Sequence, residues 1–92
     1  MINSFRHKGL EKFYQTGSKK GIFVAHTKRL RLILGLLDSA FELGDLALPG
    51  LKLHPLKGDL KGYWSVEVSG NWRLVFRFSG HDVYDINYLD YH

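Results

Sequence analysis

Apolar residues change their spacing part-way along this chain, and the change separates helix from strand. In the first part they recur at intervals of three and four. Leu10, Phe13 and Tyr14 mark one face of a short helix ending near Gly17. Leu30, Ile33, Leu34, Leu37 and Phe41 mark a longer helix running roughly from Val24 to Phe41. Leu32, Leu36 and Leu43 form a second stripe on nearly the opposite side, which predicts contact with a neighbouring helix; the alternative is a binding surface for a partner protein. From Gly44 to Gly50 the period is lost, and Pro49-Gly50 is a turn signal.

Beyond that turn the period becomes two. Trp64, Val66 and Val68 alternate with Ser65, Glu67 and Ser69, and Trp72, Leu74, Phe76 and Phe78 alternate with Arg73, Val75 and Arg77. Successive side chains of a strand point to opposite faces, so one face is apolar and the other carries Ser65, Glu67, Arg73 and Arg77. Ser69-Gly70-Asn71 and Ser79-Gly80-His81-Asp82 supply tight turns, and Val83 to Tyr88 gives a last strand that buries Tyr84, Ile86 and Tyr88. Ile2 to Phe5 reads as a short first strand. The predicted fold class is α+β in the order β-α-α-β-β-β, an antiparallel meander with two helices packed on one face, as one domain over residues 1–92.

Composition narrows the class. An aromatic content of 14% in 92 residues can supply much of a core, since each ring buries a large area. With no cysteine the fold stands without disulfides or thiolate ligands, which suits a reducing cytosol. The longest apolar run, Leu32 to Leu37, is too short for a bilayer, and Arg6 and Lys8 have no apolar stretch behind them. The expectation is a cytoplasmic protein with neither a secretory signal nor a membrane partner.

Charge is uneven. Up to Leu37 eight basic residues face Glu11 alone, giving +7; the net charge of +4 then leaves −3 for the remainder. A basic face of this kind suits a polyanion, although solvated helix surfaces would look the same.

The candidate chemistry lies elsewhere. Asp90, Tyr91 and His92 fill the last three positions, and His54 sits upstream in Lys52-Leu53-His54-Pro55-Leu56-Lys57-Gly58. No close histidine pair organises a metal site, and Lys57 and the arginines would repel a cation, so no metal and no cofactor are expected. A nucleophile elbow, a Walker motif and a dinucleotide fingerprint are all missing. Acid–base chemistry beside cations remains. RNA carries its own nucleophile, the 2′-hydroxyl, so cleavage needs only a proton acceptor, a proton donor and positive charge on the phosphoryl oxygens. Imidazoles suit both transfers, and Arg73 and Lys57 suit the phosphate. Each residue has a plainer alternative: His54 as a surface turn, Tyr91 as packing on the sheet edge, Arg73 as a solvent-facing alternate, Asp90 as its ion-pair partner. His7, His26 and His81 read as ordinary surface residues. Strict alternation also sets a difficulty. If Tyr88 is buried, Asp90 and His92 share its face, and meeting Arg73 requires a twist, a bulge or an exit from the ladder after Tyr88.

Lys52-Leu53-His54-Pro55-Leu56-Lys57-Gly58-Asp59, Gly62-Tyr63-Trp64-Ser65, Asn71-Trp72-Arg73 and the closing Asp90-Tyr91-His92 resemble the HigB toxins of the RelE/ParE superfamily of toxin–antitoxin systems. The resemblance extends over the chain from Ser4-Phe5 onward. It implies a RelE-like fold and a ribosome-dependent endonuclease that cuts messenger RNA in the ribosomal A site. It also implies a HigA-type antitoxin, a helix-turn-helix DNA-binding protein, as the inhibitory partner. The family's active-site positions fall on His54, Asp90, Tyr91 and His92, and its phosphate-holding positions on Lys57 and Arg73. A ParE-like toxin that binds DNA gyrase without cutting RNA is the competing class.

Overall fold

A computed structural model describes residues 1–91. The first helix, α1 (Lys8–Thr16), begins where His7 caps it: the Leu10 N–H donates to His7 Nδ1 at 2.9 Å. It ends at Gly17, whose φ of 80° is easy only for glycine and whose N–H donates to the Phe13 carbonyl at 2.8 Å. Leu10 and Phe13 are buried on its inner face.

The cap needs His7 Nδ1 free of a proton, and burial lowers the His7 pKa below its usual 6.5, against a smaller opposing effect of its own backbone. A lowered pKa means that the unfolded chain binds the proton more readily. The cap's contribution is therefore complete above pH 6.5 and is lost as the pH falls through the folded value. His7→Ala should cost about 0.5–2 kcal/mol at pH 7.5. Urea unfolding should show the gap from wild type closing at pH 5; a gap of constant size would contradict this.

The second helix, α2 (Thr27–Ser39), is shorter than its apolar pattern predicts, because Val24–His26 forms a separate 3₁₀ turn and Ala40 is extended. Leu30, Ile33, Leu34 and Leu37 are buried as expected. Phe41 falls beyond the helix end, is 64% exposed and stacks on His81 with ring centres 3.8 Å apart. Of the second stripe, Leu36 and Leu43 pack half-buried against the core while Leu32 stays exposed.

Four strands form one antiparallel sheet in the order β1 (His54–Pro55), β2 (Trp64–Ser69), β3 (Trp72–Ser79) and β4 (Asp82–Asp90). Val66, Val68, Leu74, Phe76, Val83 and Ile86 meet Leu10, Phe13 and the inner face of α2 in one core. Arg29 ties α2 to the sheet, since its Nη2 donates to the Gly50 and Glu67 carbonyls at 2.7 and 3.0 Å. On the opposite face Leu56, Ser65 and Val75 are also buried, so this face is less open than alternation implies.

Two departures share one cause, a bulge at Asp85. Val75 pairs with Asn87 but Arg77 pairs with Tyr84, and Asp85 takes a φ of 55° between them. The extra residue moves Tyr84 opposite Arg77 and makes Val83, rather than Tyr84, the buried residue. It also breaks the ladder that the opening segment would join. Ile2 and Phe5 consequently make isolated parallel bridges to Val83 and Ile86 instead of a continuous strand. Between the bridges, Ser4 Oγ accepts the Asp85 N–H at 2.8 Å, and Arg77 pairs with the Asp85 carboxylate at 3.2 Å.

Candidate functional site: two ends of one sheet

His54 stands on the edge strand β1, where Pro55 is tolerated because few ladder bonds are needed there. Its register partner is Ser65, followed across the sheet by Val75 and Asn87, so His54 belongs to the face opposite the helices. The imidazole is exposed, and its Nδ1 lies 3.1 Å from the Lys52 carbonyl. A carbonyl only accepts, so Nδ1 carries the proton, and in the neutral form of the ring Nε2 is the lone-pair acceptor. Lys52 adopts φ 51°, an unfavourable conformation for a residue with a side chain, two residues before His54.

Arg73 lies on the same face. It pairs in register with Glu67 on one side and Leu89 on the other. Its Nη1 donates to the Gly70 carbonyl at 2.6 Å and stands 3.6 Å from Glu67 Oε2, while Lys52 Nζ reaches the same oxygen at 3.2 Å. Glu67 thus joins the segment holding His54 to the strand holding Arg73, with one anion between two cations. Glu67 carries this bridging role although alternation assigned it only to the polar face. Lys57 is exposed just before a 3₁₀ turn at Gly58–Leu60.

The other candidates lie at the far edge. Asp90 ends β4 opposite Trp72, and the ladder continues beyond Tyr88 without a further break. The Tyr91 N–H extends it by donating to the Asn71 carbonyl at 2.7 Å, leaving the ring 45% exposed. His92 lies outside the described residues. His54 and the Asp90–Tyr91 segment sit on opposite edge strands, three interstrand spacings or about 14 Å apart across the sheet, and Asp90 lies further along β4 than Asn87, the position level with His54. Asp90 pairs with Trp72, which packs on the core, so it shares the helix face with Tyr88, while His54 and Arg73 belong to the opposite face. Among the described residues, no three His, Cys, Asp or Glu side chains gather as metal ligands.

His26 is not the surface residue that the sequence predicts. It is 8% exposed, and its Nδ1 shares a hydrogen bond with the Tyr88 hydroxyl. Phe23, Trp72 and Tyr88 surround its ring at centre distances of 5.5, 5.7 and 5.9 Å. Burial pushes the Tyr88 phenol up, with the Phe23 backbone opposing. No spacing rule would have found this cluster, because its members come from separate elements. His7 is half-buried as a helix cap, and only His81 keeps the exposed turn position expected of it.

Comparisons with known proteins point to one family. Residues 3–92 match the family model described as RelE-like toxin of type II toxin-antitoxin system HigB. The chain is 46% identical over 92 residues, the whole of both chains, to Endoribonuclease HigB of Proteus vulgaris. It is 34% identical over 80 residues to Toxin HigB-1 of Vibrio cholerae, covering 85% of this chain and 84% of that one. Among solved structures, a point mutant of YafQ from E. coli superposes with a TM-score of 0.64 at 22% identity, covering 96% of this chain and 89% of that one. A heterotetrameric YoeB–YefM toxin–antitoxin complex from Staphylococcus aureus gives a match with a TM-score of 0.61 at 24% identity, covering 100% and 98%. At such identities the two structures speak for the fold alone.

Proposed function

The chain belongs to the HigB family of RelE-like toxins, and from that premise we propose that it is an endoribonuclease that cuts messenger RNA in the ribosomal A site. The observation that carries this is the full-length 46% identity to a protein named an endoribonuclease.

In the proposed reaction the RNA backbone lies over the sheet between its two edges. His54 Nε2 accepts the 2′-hydroxyl proton, since its Nδ1 is already committed to the Lys52 carbonyl. The 2′ oxygen attacks the adjacent phosphorus, and the 5′ oxygen departs with a proton supplied by His92 or Tyr91. Arg73 and Lys57 stabilise the charge on the phosphoryl oxygens. Asp90 orients or charges the terminal imidazole. Every step uses groups of the chain and of the RNA, so the scheme needs no metal or cofactor. The proposed partners are a ribosome carrying the message and a HigA-type antitoxin, in a cytoplasmic setting. Among the described residues no helix is long and apolar enough to cross a membrane.

A gyrase-binding role like that of ParE is not favoured, because the full-length relative is named for RNA cleavage. Primer extension on a translated message separates the two. Discrete cuts in the reading frame are expected from the wild-type protein, whereas intact messages with damaged DNA would overturn the nuclease.

A further inference from the structure

Phe23 is 54% exposed, although a phenylalanine ring gains by burial, and its surroundings hold it there. Its ring stands edge-on to Trp72 at 5.0 Å and 75° and to His26 at 5.5 Å and 72°. Trp72 in turn packs on Tyr88 at 4.7 Å, and Tyr88 is hydrogen-bonded to His26. Buried Ile22 precedes Phe23 and buried His26 follows, so the backbone is anchored on both sides. Gly21, at φ 79°, opens the approach, and Gly21, Ile22 and Phe23 line a hollow of about 340 Å³.

Two observations say what fits this ring. Trp72, on which Phe23 leans, is the register partner of Asp90, so the ring adjoins the end of the sheet where the proposed proton-handling residues begin. The surrounding sequence is cationic: Lys19 and Lys20 are exposed just before Gly21, and no acid occurs between Glu11 and Asp38. An exposed, pre-positioned aromatic ring among lysines is the chemistry that takes a base of single-stranded RNA. The ring stacks on the base while the cations accept the phosphates.

We propose that Phe23 is a stacking platform for one nucleobase flanking the scissile phosphate, propped by Trp72 and the His26–Tyr88 pair. The inference deepens the endoribonuclease reading and rests on it for its substrate. Phe23 is a substrate-holding residue on this view and takes no part in proton transfer.

The probe is a short fluorescein-labelled single-stranded RNA with 2′-O-methyl groups, which cannot be cleaved, titrated with the purified protein at low salt. Anisotropy should show Phe23→Ala and Phe23→Leu weakening binding about 5- to 100-fold, and Phe23→Trp restoring it, because stacking needs a π face and not merely apolar volume. Thermal denaturation should place all three variants near wild type, given the exposure of the ring. Equal affinity of wild type and Phe23→Ala, rescue by Leu as complete as by Trp, or no binding by wild type would each overturn the platform. The nuclease is judged separately by cutting of a translated message. A wild-type protein that binds RNA through Phe23 but cuts nothing would refute the nuclease and leave the platform standing.

Discussion

His54→Ala should slow cleavage of a translated message by about 10²–10⁴-fold, the usual contribution of a positioned acid or base. The same substitution should leave the unfolding midpoint almost unchanged. The two expectations follow from one geometry. The imidazole is exposed on a two-residue edge strand, and its hydrogen bond to the Lys52 carbonyl is the one polar contact described for its ring. Little packing is therefore lost on truncation. What disappears is the Nε2 lone pair, which the Nδ1–H donation to Lys52 keeps available. Primer extension over a range of toxin concentrations measures the loss, and urea unfolding of the same preparation checks the fold. Cleavage within threefold of wild type would remove His54 from the reaction. His54→Gln can retain a donor to the carbonyl but cannot replace the base, so it should be as impaired as the alanine variant.

Phe76→Ala should cost about 3–5 kcal/mol of unfolding free energy. Phe76 is fully buried on the central strand β3 and pairs in register with Trp64. Its loss opens a cavity in the core between sheet and helices. Small domains have only about 5–15 kcal/mol in hand. The variant should unfold at much lower urea, with an unchanged slope if the transition stays two-state. Arg77→Ala, the next residue along and exposed, is the control and should cost under about 1 kcal/mol, because its pair with Asp85 is a surface ion pair. A Phe76→Ala loss as small as that of the control would mean that the core does not centre on β3. Function should separate the two substitutions at Phe76 and His54: the first lowers the amount of folded protein, the second its turnover.

The part of this protein that local chemistry governs was visible in the chain itself. Spacings of three and four gave two helices and the burial of Leu10, Phe13, Leu30, Ile33, Leu34 and Leu37, since helical geometry repeats at that interval wherever it occurs, although Tyr14 and Phe41 of the same stripes stay exposed. Alternation from Trp64 to Phe78, with turns at Gly70 and Gly80, gave an antiparallel meander for the same reason. The motif around His54 and the terminal Asp90-Tyr91-His92 pointed to the family. Long-range pairing set the rest. One inserted residue at Asp85 reversed the faces of Val83 and Tyr84 and reduced the opening strand to two bridges, and a single φ angle leaves no trace in a hydropathy pattern. The fourth strand, His54–Pro55, exists only because β2 offers it an edge. His26 became a buried partner of Tyr88, and Glu67 came to bridge Lys52 and Arg73, through contacts between residues far apart in sequence. Periodicity reports which way a side chain faces within its own element; which side chains it then meets is decided when the elements pack.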